Sequence, residues 1–131
     1  MKAPTALIGG RVDRTSFDHQ VRLSVVALDE DEGYRVDAEL VLETEFLLRD
    51  TAGEWHELDS GTGSKLAPVL DLFGQSITAV DVRNHGSLTI YFDGGSGLWI
   101  GPHAQFESWH LSGLGVSAVI VGPGGESEWE R

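Results

Sequence analysis

The sequence predicts an α+β fold that is mostly antiparallel β-sheet, either a curved sheet or a partly open barrel, with one α-helix around residues 65–73. Two observations predict this fold. Most segments alternate apolar and polar residues with a period of two, which is the pattern of half-buried strands. Only one segment has the spacing of a helix that packs on a sheet. The chain has 131 residues, a common domain size, so we expect a single domain over residues 1–131.

The first predicted strands form a hairpin. In residues 20–28, QVRLSVVAL, the side chains of Val21, Leu23 and Val25 share one face of the strand. The acidic run DEDEG at 29–33 is a solvated turn. Residues 34–50 continue the alternation far beyond the length of an ordinary strand, so we expect a bend, bulge or break near Thr44.

The predicted helix follows a glycine-containing loop. Ser64 can cap it, and Pro68 lies near its first turn, where a missing N–H costs little. Its apolar stripe repeats at i, i+3, i+4 and i+7 and consists of Leu66, Val69, Leu70 and Phe73. We expect this stripe to lie on the sheet.

Strands resume after the helix. Residues 76–83, 87–92 and 98–100 are bounded by turns that contain glycine. Residues 116–121, VSAVIV, are almost entirely apolar, which predicts a central strand covered on both faces. We expect the tail from about residue 125 to be mobile.

The charge balance limits the classes of partner. Nine Lys and Arg residues against 21 Asp and Glu residues give a net charge of −12. Such a chain repels phosphate backbones and anionic lipids, so we expect neither nucleic acid nor a membrane as partner. The same charge favours encounter with a cationic protein, although it also serves solubility.

The chain contains no cysteine, which excludes disulfides and thiolate chemistry. No segment approaches the roughly 20 apolar residues of a membrane helix, and the N-terminus lacks the apolar run of a signal peptide. We therefore expect a cytoplasmic protein, and the sequence indicates no cofactor.

Two glycine-containing motifs fail the tests for known chemistry. In GTGSK, residues 61–65, the serine precedes the lysine, whereas a phosphate-binding loop has glycine before lysine and Ser or Thr after it. Gly95-Ser96-Gly97 leads into a strand, so it is neither a dinucleotide fingerprint nor a nucleophile elbow. The sequence thus favours a protein without catalytic activity.

The segment PHAQFESWHL, residues 102–111, has two interpretations. As a helix it places His103, Glu107 and His110 on one face, where they could bind a metal ion. As a strand it separates His110 from the other two residues. The apolar residues form no coherent helical stripe, but they do not alternate cleanly as a strand either, so the residues alone leave both interpretations open.

The four tryptophans suggest either core packing or a recognition surface. We expect Trp99 and Trp109 in the core, whereas the polar neighbours of Trp55 leave both roles open for that residue.

The chain resembles an uncharacterised bacterial family, the domain of unknown function 6188. The resemblance covers most of the chain and is carried in the C-terminal half by a strand ending in an Asp-Gly turn, an aromatic-Glu-x-Trp-x-Leu segment and a late Pro-Gly-Gly. The matching residues are Leu88, Phe92, Asp93, Gly94, Phe106, Glu107, Trp109, Leu111, Pro123, Gly124 and Gly125. His103 and His110 fall where the family pattern has no histidine, so the resemblance favours a structural role for residues 102–111 over the metal site. The resemblance implies no activity.

Glu107 stands out because the pattern places a carboxylate among apolar residues. We expect it to tie a turn to the sheet through Arg83, an indole N–H or glycine amides. The alternative is a contact or acid-base role in a cleft.

Three functions compete. The first is a protein-interaction module, of immunity or accessory type, that binds a basic protein through candidate contacts at Glu107, Trp109, Trp55 and Asp93. The second is a small-ligand-binding protein or enzyme with Glu107 in a pocket. The third is a homodimer formed through a strand edge.

Overall fold

Two antiparallel five-stranded sheets make up the computed structural model of the protein, which describes residues 2–31 and 33–126. Sheet A consists of β1 Arg11–Phe17, β2 Val21–Asp29, β3 Gly33–Leu42, β9 Trp109–Leu114 and β10 Val119–Val121. Sheet B consists of β4 Phe46–Arg49, β5 Trp55–Leu58, β6 Ile77–Arg83, β7 Ser87–Phe92 and β8 Gly97–Ile100. The spatial orders are β1-β2-β3-β9-β10 and β5-β4-β8-β7-β6.

Both sheets contribute to one hydrophobic core. In sheet A, Leu23 and Leu40 face each other across β2 and β3, and both are 1% exposed. In sheet B, Leu48 and Ile90 flank Leu98 from β4 and β7 and are equally buried. The prediction of a mostly antiparallel β fold with a helical segment between β5 and β6 is therefore confirmed, and a short 3-10 turn, Thr5–Leu7, precedes β1.

Sheet B is inserted into sheet A. The chain leaves sheet A after Leu42, builds all five strands of sheet B, and returns at Trp109, which pairs with Leu42. The break predicted near Thr44 is confirmed, because β3 ends at Leu42 and β4 begins at Phe46. Two segments cross between the sheets, residues 43–45 on the way out and residues 101–108 on the way back. Antiparallel pairing of β3 with β9 places these two crossings side by side.

The helical segment forms a 3-10 helix, Gly63–Leu72, and not the α-helix predicted around 65–73. A 3-10 helix has three residues per turn, so the buried residues recur at every third position, namely Leu66, Val69 and Leu72. Leu70 and Phe73 of the predicted stripe are instead 55% and 64% exposed. Pro68 inside the helix cannot donate a backbone hydrogen bond, which disfavours α-helical winding.

The prediction for residues 116–121 was wrong. The strand there is β10, only Val119–Val121, which pairs with β9 alone and lies at the edge of sheet A. Ile120 is 55% exposed, so the strand is covered on one face only.

The described chain is still tied down where the mobile tail was predicted to begin. The Glu126 N–H donates to the carbonyl of His85 at 2.7 Å. Residues 127–131, including Trp129, lie outside the described residues.

Trp109 joins the two sheets at the start of β9. Its side chain is fully buried, and its indole N–H donates to the carbonyl of Gly86 at 2.7 Å. Gly86 belongs to the turn between β6 and β7, in which Asn84 and His85 adopt positive φ angles of 49° and 67°. One tryptophan of sheet A thus fixes a turn of sheet B.

Replacing Trp109 with Phe keeps an aromatic ring but removes the donor to a buried carbonyl. We expect the free energy of unfolding to fall by about 1–3 kcal/mol, the cost of leaving a buried acceptor unpaired. Urea unfolding followed by circular dichroism measures this loss. Trp55→Phe is the matched control, because Trp55 is 54% exposed; equal stability of the two variants would contradict the assigned role of Trp109.

Candidate functional site

An open cavity lies where the chain crosses between the sheets. It has a volume of about 580 Å³ and is lined by Glu43, Thr44, Gln105, Phe106, Glu107 and Pro123. Two carboxylates and an aromatic ring therefore meet at one surface feature, although Glu43 is distant in sequence from Phe106 and Glu107. We call this feature the crossing cavity.

Backbone hydrogen bonds hold the two crossings together. The Glu43 N–H donates to the carbonyl of Ser108 at 2.8 Å, and the Ser108 N–H donates to Val121 at 3.0 Å. These bonds continue the ladder beyond the Leu42 and Trp109 pair by one residue. Glu43 and Glu107 consequently lie on the same cavity because sheet A positions the segments that carry them.

Glu43 is tied to sheet A through one oxygen only. Its Oε1 accepts a hydrogen bond from Gln20 Nε2 at 2.6 Å, and Gln20 in turn accepts from Arg22. Arg22 also binds Glu39, so its charge is shared with other groups. The Oε2 atom of Glu43 is buried without a hydrogen bond among the described residues, and His110 Nε2 lies 3.8 Å away.

Glu107 does not tie a turn to the sheet, contrary to the prediction. It is exposed and forms no hydrogen bond or ion pair with a described residue. Two of the expected donors are engaged elsewhere, since Arg83 pairs with Asp81 at 2.6 Å and the Trp109 indole donates to the carbonyl of Gly86. Its carboxylate therefore faces the crossing cavity and solvent without a cation.

Phe106 is held beside Glu107 by its own loop. Its ring lies 5.1 Å from the ring of His103, whose Nδ1 accepts the Gln105 N–H at 3.0 Å. Phe106 is nevertheless 60% exposed. The loop thus presents an aromatic surface next to a carboxylate.

The proposed helical metal site of His103, Glu107 and His110 is not assembled. Residues 101–108 form neither helix nor strand, and His110 points towards Glu43 from β9. Within the described chain, a different group has the side chains of a metal site: the ligand atoms of Asp50, Glu54 and His56 lie within 4.8 Å of one another.

The cluster of Asp50, Glu54 and His56 is a hairpin turn that is held together by the contacts of Asp50. Its Oδ1 accepts the N–H groups of Ala52 and Glu54 at 2.9 and 3.0 Å, and its Oδ2 lies 2.8 Å from His56 Nε2. The bond with His56 foremost, and then the bond with the Glu54 amide, hold the pKa of Asp50 below its usual value of 3.8. Asp50 closes the connection between β4 and β5.

The other candidate contacts lie apart from the crossing cavity. Asp93 Oδ1 accepts the Ser76 N–H at 2.9 Å, so this residue fastens a turn to β6. Trp109 is buried in the core, as predicted, and offers no surface to a partner. Trp55 is exposed on β5, at the edge of sheet B.

Trp99 lies on the outer face of sheet B and not in the core, where it was expected. It is 39% exposed, and a Cβ added at Gly101 would lie 2.8 Å from its ring. The missing Cβ atom of Gly101 therefore lets the ring of Trp99 lie close to the chain on the outer face of the sheet, which alternation alone does not reveal.

The sequence did not reveal the contribution of Glu43 and Thr44 to this site. They lie about 60 residues before Glu107 along the chain, and no local pattern joins them. Only the pairing of β3 with β9 brings them together.

Two antiparallel sheets around a shared core, with an acidic cavity at their crossings, define a small β protein with a negatively charged surface. The chain belongs to the family of unknown function DUF6188, whose model matches residues 3–130. Comparison with curated proteins and with solved structures found no match. No helix of the described residues is long and apolar enough to cross a membrane.

The lowered pKa of Asp50 predicts a pH-dependent stability. A depressed folded-state pKa stabilises the fold above the unfolded value of about 3.9, and the effect is lost as the pH falls through the folded-state pKa. Wild type should therefore exceed Asp50→Asn in free energy of unfolding at about pH 6 and lose that advantage towards about pH 3. Urea titrations at several pH values measure the difference.

The exposed Asp13 provides the control, because its carboxylate side chain forms no hydrogen bond or ion pair with a described residue. Asp13→Asn should show no such pH dependence. A constant difference between wild type and Asp50→Asn at every pH would contradict the assigned ionised contact.

Proposed function

We propose that this protein is an interaction module, of immunity or accessory type, that binds a basic protein through the crossing cavity. The observation that carries the proposal is the pair of carboxylates, Glu43 and Glu107, at one open cavity without a Lys or Arg ion pair among the described residues. The net charge of −12 supports it, because a negative surface steers a cationic partner towards the cavity.

The exposed ring of Phe106 adds a second kind of contact. Interfaces are enriched in aromatic residues, and a ring next to carboxylates can pack against both the stem and the charge of a basic side chain. The proposal places the encounter in the cytoplasm, where a fold without disulfides needs no oxidising environment.

A small-ligand or enzymatic role for Glu107 draws on the same cavity. Glu107 is exposed, whereas carboxylic acids that act in acid-base catalysis are commonly tuned by burial. The surroundings of Glu107 therefore favour a contact role.

Affinity capture of the tagged protein from the lysate of its own cells tests the proposal. At about 50 mM salt we expect one basic protein in stoichiometric amount, identified by mass spectrometry, and at about 500 mM salt we expect its loss, since salt screens exposed charges. Absence of a basic partner at low salt, or binding that salt does not weaken, would contradict the proposal.

Charge reversal locates the binding surface. Glu107→Lys should weaken binding of the captured partner about tenfold or more, because it places like charges opposite each other. Glu57→Lys makes the same change at an exposed carboxylate on β5 and should leave the affinity within about twofold. Calorimetry with the purified partner compares the two variants, and equal losses would exclude the cavity as the binding surface.

A further inference from the structure

We infer that the crossing cavity receives an arginine side chain of the basic partner, with its guanidinium group between Glu107 and Phe106. This inference rests on the proposed function and names the chemical group that the cavity recognises. Four features of the cavity lead to it.

The first feature is the unsatisfied acceptor capacity of the cavity. Glu107 has no hydrogen-bond or ion-pair partner among the described residues, and the side-chain amide of Gln105, which also lines the cavity, forms no hydrogen bond with a described residue. Both side chains carry oxygen atoms that accept hydrogen bonds. Arginine supplies five N–H donors in a planar arrangement that matches such a set.

The second feature is the hydroxyl group of Thr44. Thr44 lines the cavity and is only 9% exposed, and its hydroxyl forms no hydrogen bond with a described residue. Unlike the hydroxyl of Ser108, it is not sealed from solvent. An unpaired polar group within a nearly buried residue that lines the cavity is a binding group for a donor from outside.

The third feature is the ring of Phe106, which is 60% exposed and braced by His103. A guanidinium group stacks on an aromatic face while it donates in its own plane to a carboxylate. An ammonium group is a compact charge and makes no such planar stack. The combination of ring and carboxylate therefore favours arginine over lysine.

The fourth feature is the rigidity of the site. The backbone N–H of Glu43 donates to Ser108, and the backbone N–H of Gln105 donates to His103. Both walls of the cavity are therefore held before a partner binds. A preorganised site loses less conformational entropy on binding. The Oε2 atom of Glu43 adds negative potential behind the cavity wall.

Short blocked peptides test the inference on the full-length ¹⁵N-labelled protein. Acetyl-Gly-Arg-Gly-amide should bind with an affinity near the millimolar range and shift the amide resonances of Thr44 and of residues 105–108. The same peptide with citrulline, which has the shape of arginine without its charge, should bind about tenfold more weakly or worse. Shifts confined to other residues, or equal binding of both peptides, would overturn the inference.

A lysine peptide tests the planar stack. Weaker binding than that of the arginine peptide supports the guanidinium assignment, and equal binding overturns it. Glu107→Gln should reduce arginine binding about tenfold or more, whereas Glu57→Gln should leave it unchanged. Neither carboxylate side chain forms a hydrogen bond with a described residue, so both variants should fold, as their amide spectra will verify.

The two proposals fail separately. If capture yields a basic protein whose affinity Glu107→Gln leaves unchanged, and the arginine peptide does not bind, the cavity assignment is wrong while the interaction function stands. If the arginine peptide binds the cavity but capture yields no basic protein, the interaction function is wrong while the assigned chemistry of the cavity stands.

Discussion

The hydrogen bond from the Trp109 indole to the carbonyl of Gly86 fixes the geometry on which the other features depend. Trp109 opens β9, and its backbone pairs with Leu42 at the end of β3. Its side chain meanwhile fills the core and holds a turn of sheet B. The backbone pairing of β3 with β9, which the Glu43 N–H extends to the carbonyl of Ser108, keeps the segments that carry Glu43 and Glu107 side by side. The side chain of Trp109 anchors the start of β9 to sheet B, so the cavity is positioned by sheet pairing and by core packing together.

The crossing cavity is also a place where the sequence forgoes stability. Two carboxylates at one cavity repel each other, and a lysine or arginine at a neighbouring position would relieve that repulsion inside the chain. Arg22 is linked to Glu43 only through the side chain of Gln20, and its guanidinium group pairs with Glu39 on sheet A. An unrelieved charge of this kind is common at binding surfaces, where a partner supplies the missing cation. The hairpin turn at Asp50 shows the opposite arrangement, with each carboxylate oxygen satisfied from within the turn.

The sequence was informative where structure is local. Alternation in residues 20–28 and 34–42 predicted the hairpin of β2 and β3, and the excessive length of residues 34–50 predicted the break near Thr44. The helix was found, but its winding was not, because Leu66 and Val69 fit periods of both three and 3.6 residues and only Leu72 separates the two. For the site, the sequence singled out Glu107 but not Glu43 and Thr44. Those two residues come to the same cavity only through the pairing of β3 with β9, which no local pattern encodes.

The insertion of sheet B between β3 and β9 has a consequence for the order of folding. All strands of sheet B lie between Phe46 and Ile100, and its three hairpins, β4 with β5, β6 with β7 and β7 with β8, can pair by short-range contacts. The pairing of β4 with β8 then joins them across a longer loop. One edge of β3 pairs with β2, but the edge that pairs with β9 stays open until β9 has been synthesised and has returned to sheet A. Closing that long loop is entropically costly, and an open strand edge is prone to pair with the wrong chain in the meantime. The exposed Asp37 lies on the edge of β3 that β9 later covers, and like charges at this position on two molecules disfavour pairing of nascent chains through that edge.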